Sequence, residues 1–152
     1  MQGVLNLMVE AEEKIGGSTL PAPFFSWFAK RGWHPHPHQL EMLCAADQGV
    51  DALLIAPTGG GKTLAGFLPS LIDIAGNGAK GLHTLYVSPL KALAVDVERN
   101  LKVFLAEMEL PIRIETRTGD TSQHKRRRQR FDPPHMLLTT PESLSLLLSY
   151  PD

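Results

Sequence analysis

The chain has 152 residues, 43% of them hydrophobic, with 15 lysines and arginines against 16 aspartates and glutamates and a single cysteine. That length suits one domain with its own core, and a lone Cys44 allows no internal disulfide, which excludes a cross-linked secreted scaffold and points to an intracellular, cytoplasmic protein. No apolar run is long enough to span a membrane, and the first residues, with Glu10, Glu12 and Glu13, lack the basic start of a signal peptide.

In chain order, residues 4–15 place Val4, Leu5, Met8 and Ala11 at helical spacing before the break at Gly16 and Gly17. Residues 1–20 hold no motif and stand as an N-terminal segment of unassigned role. Residues 21–30 predict a short aromatic helix ended by Gly32, and 37–48 a second helix with Leu40, Leu43 and Cys44 on one face and Gly49 as its stop. The continuous apolar run at 51–56 predicts a strand covered on both faces. A glycine-rich turn follows, then a helix over 62–75, in which Pro69 must kink the backbone or fall where a bond is already missing. Residues 82–88 predict a strand, Pro89 opens a long amphipathic helix through Met108, and 112–116 alternate as another strand. Residues 122–130 are a polar helix or loop, 136–140 a fourth strand and 141–149 the start of a further helix. Strands alternating with helices predict an α/β fold, a parallel sheet with helices on both faces, here with about four strands and the look of an incomplete domain.

Eight residues carry the most chemistry: Ala56, Pro57, Thr58, Gly59, Gly60, Gly61, Lys62 and Thr63. They lie between a predicted strand and a predicted helix, the setting a phosphate-binding loop requires. Glycines let successive backbone N–H groups turn toward phosphate oxygens, and the helix N-terminus adds its partial positive charge. Lys62 would reach the β- and γ-phosphates, and the Thr63 hydroxyl would take Mg²⁺. The expected cofactors are ATP and Mg²⁺. Ala56 stands where the strict phosphate-loop pattern has glycine.

With Ala56 first and Thr58 and Gly59 following, the loop resembles motif I of superfamily-two helicases. The likeness continues in order along residues 21–152. Gln39, after the His34, His36 and His38 that alternate with prolines, resembles the glutamine of the Q motif, which in that family recognises adenine. An amide has the donor and acceptor to meet adenine N7 and N6 together. Ser88, Pro89 and Lys91 resemble motif Ia, Thr118, Gly119 and Asp120 a GD-containing motif Ib region, and Thr139, Thr140, Pro141 and Glu142 the next nucleic-acid contact. Together these blocks resemble the Lhr-type DEXH-box helicases, and among them the bacterial ligase-associated ones. The resemblance implies a RecA-like P-loop fold, with 21–152 as a partial ATP-binding first domain. It further implies ATP-driven movement along DNA, more than RNA, in the three-prime to five-prime direction, a role in DNA repair, and ligase and nuclease partners.

Other readings of the same residues stay open. Ser88-Pro89 and Thr140-Pro141 also make ordinary helix starts, and Gly119-Asp120 an ordinary turn. The chain would then be a truncated, non-catalytic nucleotide- or nucleic-acid-binding module, or an unrelated P-loop kinase or small NTPase. The alternating histidines lack a fourth metal ligand and read as an extended lead into the helix carrying Gln39.

Hydrolysis also needs a carboxylate for Mg²⁺, an acid to position water, and an arginine facing the γ-phosphate. The chain has no Asp-Glu dipeptide, and the prolines in Asp132-Pro133-Pro134-His135 rule that segment out as a central strand. Alone, the chain is expected to bind nucleotide without turning it over. Finally, residues 125–130 concentrate 5 of the 15 basic side chains with no acid among them, leaving 10 bases against 16 acids, a charge of -6, elsewhere. Such a run is a solvated face or, with Arg127 foremost, a phosphate contact.

Overall fold

A computed structural model describes residues 20–149. The helix expected at 4–15 lies outside them. The chain divides into two compact units, one up to Ile72 and the other from Asp73.

In the first unit, α1 (Ala22–Lys30) buries Phe24 and Phe28, one turn apart, while Trp33 beyond it stays 55% exposed. The Arg31 guanidinium lies 4.3 Å from the Trp27 ring centre, so part of the aromatic cluster covers a charged surface rather than filling the core. Helix α2 (Pro37–Asp47) starts with proline at its first position, where no N–H is missed, and buries Gln39, Leu40 and Leu43. Cys44, expected in the core, is only half-buried. Helix α3 (Lys62–Asn77) runs unbroken through Pro69, at the cost of one bond to the Ala65 carbonyl, and buries Ala65, Phe67, Leu68 and Leu71.

The run at 51–56 is not a strand. It has no ladder partner among the described residues, and Leu53 and Ile55 are 86% and 84% exposed. An apolar run declares that a segment is to be buried, whereas a parallel strand exists only through bonds to a neighbour. The sheet therefore has three strands, not the four expected.

Those three strands form the second unit: β1 (Thr84–Val87), β2 (Ile114–Arg117) and β3 (Met136–Thr139), all parallel in the order β1-β3-β2. Met136 pairs with both Thr84 and Ile114, so the three strands start level and their C-terminal ends share one edge. The central β3 is buried at every position, as a strand with neighbours on both sides should be. Helix α4 (Lys91–Glu107), which begins two residues after Pro89, packs on β2 and β3 through Ala94, Val97, Leu101, Phe104 and Leu105. The polar segment resolves as a helix, α5 (Gln123–Phe131), capped by the Ser122 hydroxyl, which accepts from Lys125 N at 3.3 Å. Helix α6 (Pro141–Leu148) closes the unit. Asp132, already set aside as part of a central strand, is exposed and forms a bidentate pair with Arg113 at 2.6 Å.

Helix α5 is pinned to the sheet by charge. Arg128 Nη2 donates to both Glu115 oxygens at 2.7 and 2.6 Å, and Gln129 Nε2 adds 2.8 Å to Glu115 and 3.2 Å to the Thr116 carbonyl. Burial pushes the Glu115 carboxyl up, but the bonds from Arg128 and Gln129 outweigh it and hold the group below its ordinary value of 4.5. A carboxyl depressed in the folded state stabilises it above the unfolded value and loses that contribution as pH falls through the folded one. Melting temperature is therefore expected to fall as pH drops below about 4.5, and Glu115→Gln to flatten that part of the curve. Identical acid limbs for the two proteins in thermal melts would sink the assignment.

Candidate functional site

The glycine-rich loop lies within the first unit, and its geometry follows from the residues around it. Gly59 and Gly61 sit at φ 80° and 70°, the left-handed region that other residues avoid. A Cβ at Gly61 would meet Gln39 Nε2 at 2.7 Å, so helix α2 approaches the loop too closely for any side chain. Two bonds fasten the approach. Gln39 Nε2 donates to the Gly61 carbonyl at 3.3 Å, and His38 Nε2 donates to the Gly60 carbonyl at 2.6 Å. His36 and His38 stack nearly parallel, 5.2 Å between ring centres, so the histidines line the loop, and no metal-holding cluster occurs among the described residues.

Helix α3 begins at Lys62, which leaves the N–H groups of its first turn without intrahelical acceptors; the first closed bond is Ala65 N to the Gly61 carbonyl at 3.0 Å. Lys62 Nζ curls back to the carbonyls of Ala56 and Pro57 at 2.7 and 2.6 Å. Its ammonium thus lies against the loop before any phosphate arrives. The Thr63 hydroxyl sits one residue on, exposed. Gln39 is 2% exposed, and its Oε1 accepts from His36 N at 2.9 Å. Its donor and its acceptor are both turned inward, onto the loop and the helix start, where the resemblance put adenine.

The residues matched to nucleic-acid motifs all lie in the second unit, around the C-terminal ends of the strands, where α/β sheets gather ligands. Their side chains divide into two groups. Ser88 and Thr139 are fully buried: the Ser88 hydroxyl donates to the Leu90 carbonyl at 3.1 Å, and Thr139 Oγ1 donates to the Arg117 carbonyl at 2.6 Å, tying β3 to β2. Thr118 and Thr140 are also buried. These hydroxyls shape the turns. Pro89, Lys91, Gly119, Asp120, Pro141, Glu142 and Arg127 are exposed. Lys91 Nζ pairs with Asp120 at 3.1 and 3.2 Å, joining the start of α4 to the turn after β2. The Glu142 carboxyl is held below its ordinary value by its own backbone N–H, then by the Thr140 hydroxyl and the Lys91 charge. The first turn of α6 thus already holds an anion, which a strand phosphate would have to displace there. Sequence reasoning missed His38 as a loop contact, its only signal being its place beside Gln39; Arg117, at the head of the Thr118–Asp120 block, and Arg126, inside the basic run 125–130, meet only in the fold.

The sequence profile of the DEAD/DEAH box helicase family matches residues 36–151. The Lhr helicase/probable uracil glycosylase of Mycolicibacterium smegmatis is 46% identical over 136 residues, covering 81% of this chain and 9% of that protein. The ATP-dependent helicase Lhr-Core protein 2 of Thermococcus barophilus is 37% identical over 147 residues, covering 87% of this chain and 17% of that protein. The chain thus spans under a fifth of the length of these relatives. Among solved structures, the Mycobacterium smegmatis helicase Lhr bound to ssDNA and AMP-PNP superposes with a TM-score of 0.78 at 43% identity, covering 86% of this chain and 18% of that one. A RecA-like α/β fold and the Lhr-type motif order follow, and an unrelated kinase or small NTPase is set aside. The chain belongs to the DEAD/DEAH box helicase family, in its superfamily-two, Lhr-type branch.

Proposed function

We propose that residues 21–152 are the ATP-binding front of the first RecA-like domain of an ATP-dependent DNA helicase or translocase, with Lys62 and the loop from Ala56 to Thr63 as its nucleotide site. The single observation that carries this is the loop itself: held by His38 and Gln39 and opening onto the unpaired N–H groups of α3. That donor set fits a triphosphate, since backbone N–H groups, a helix N-terminus and one ammonium all favour clustered negative oxygens. Mg²⁺ would take the Thr63 hydroxyl and would neutralise phosphate charge there. On this reading Gln39 serves adenine only by exchanging its present partners, and its first duty is to set the loop. The exposed Pro89, Lys91, Gly119, Asp120, Pro141, Glu142 and Arg127 border a nucleic-acid track, while Ser88, Thr118, Thr139 and Thr140 hold its turns.

The longer protein would be cytoplasmic, act in DNA repair and work beside ligase and nuclease partners. The chain alone lacks the acid pair that positions water and should bind without turnover. Titrating the 152-residue chain with a fluorescent ATP analogue should give saturable binding, with no steady phosphate release. Failure to bind would remove the nucleotide site; sustained release at about 1 per second or faster, an ordinary enzymatic rate, would show that the acids are already present.

A further inference from the structure

His38 is tied to the phosphate loop through one ring nitrogen only. A carbonyl can only accept, so the 2.6 Å bond to the Gly60 oxygen fixes a proton on Nε2. That leaves Nδ1 as the nitrogen that can gain one, and the half-buried ring stays within reach of water. Protonation at Nδ1 therefore adds a positive charge without undoing the bond, which a charged donor makes stronger. The same peptide group carries the next donor of the loop. In a trans peptide the Gly60 carbonyl and the Gly61 N–H point in opposite directions, so a bond to one and a bond from the other share a single polarisable group. The Gly61 N–H has no acceptor among the described residues, and it precedes the open N–H groups at the start of α3. An anion held there and a proton on His38 would favour each other, by direct attraction and through that one peptide.

The charged and titratable neighbours limit how many protons can enter. The His36 ring lies 9° from parallel to that of His38, and a second charge there would face the first across 5.2 Å. The stacked pair therefore has room for one proton. From the loop comes the Lys62 ammonium, bonded to the Ala56 and Pro57 carbonyls, which opposes a further cation until phosphate oxygens offset both. On α2 itself Glu41 stands one turn beyond His38 and is exposed, so water screens it.

We propose that His38 is a positioning residue that takes up one proton when the loop receives a triphosphate, so that nucleotide affinity is tied to pH. The proposal rests on the nucleotide reading above, because it needs an anion in the loop. Its sign follows from linkage: a bound anion favours the charged ring, so binding draws a proton in, and affinity rises as pH falls.

The test follows binding of AMP-PNP with Mg²⁺ by the 152-residue chain, by His38→Gln, and by His124→Gln as a control on the exposed face of α5. Glutamine keeps an N–H donor for the Gly60 carbonyl but gains no proton. The phosphates of AMP-PNP lose charge as pH falls and weaken binding in all three proteins alike, so the ratio of affinities isolates the imidazole. From about pH 8 to about pH 6 the affinity of the wild type relative to His38→Gln should rise about tenfold, as one linked proton allows, and the control should follow the wild type. In nuclear magnetic resonance spectra near neutral pH, AMP-PNP should move the His38 ring signal of the wild type toward the imidazolium position, a readout that needs no variant. Parallel affinity curves for the wild type and His38→Gln overturn the inference while the nucleotide site stands. So does a His38 ring signal left in place by bound AMP-PNP, or movement of the His36 signal instead. No binding of AMP-PNP by the wild type at any pH removes the nucleotide reading, and the inference with it.

Discussion

Lys62→Ala should lower ATP turnover of a longer protein carrying this domain by about 10²–10³-fold, the usual loss when one preorganised charge facing a reacting group is removed. The expectation rests on position rather than on residue type. Lys62 opens α3, so its backbone N–H belongs to the helix N-terminus, and its ammonium already reaches the loop through the Ala56 and Pro57 carbonyls. A phosphate that replaces those two neutral carbonyls with charged oxygens adds ion-pair attraction to bonds that the ammonium already makes charge-assisted. In the isolated chain the same substitution should abolish saturable binding of the ATP analogue and leave the far-ultraviolet circular dichroism of the fold intact. The bonds it removes involve only the loop and none of the buried side chains. Undiminished turnover would end the assignment of Lys62 as the phosphate ligand.

What was legible before the structure, and what was not, divides by the range of the forces involved. The phosphate loop, α1, α2 and the long α4 are local: a proline at or near the start and a glycine past the end place α1 and α2, and apolar spacing after Pro89 places α4. The three strands of the sheet are legible for the same reason, as short apolar or alternating runs between helices. Their order is not, because β3 entering between β1 and β2 is decided by pairing across 52 and 22 residues, the separations of Thr84 and Ile114 from Met136. The run at 51–56 marks the boundary, where hydrophobicity alone could not supply a partner. Function shows the same split. The sequence likeness placed Gln39 near adenine, yet the bonds of His38 and Gln39 to the loop join residues 22 apart and leave no trace in local pattern. Thr139 and Ser88 carry the right motif letters, but burial turns their hydroxyls to the backbone.

Gly61→Ala should cost about 2–5 kcal/mol in local stability of the loop and abolish nucleotide binding with it. Two effects combine. At φ 70° a Cβ is strained by about 1–2 kcal/mol whatever its surroundings. The same Cβ would stand 2.7 Å from Gln39 Nε2, and that amide cannot swing aside cheaply, being 2% exposed and bonded at both ends to His36 N and the Gly61 carbonyl. Losing the fastening of Gly61, and with it that of Gly60 by His38, forfeits about 0.5–1.5 kcal/mol for each bond. The two effects separate in a double variant. Gln39→Ala removes the amide that the new Cβ strikes but leaves the backbone strain, so Gly61→Ala should be less damaging in a Gln39→Ala background than alone. Thermal melts and analogue binding on all four proteins measure the coupling. Strict additivity would mean that α2 does not hold the loop through Gln39, and wild-type binding by Gly61→Ala would mean that the loop's shape is not what receives the nucleotide.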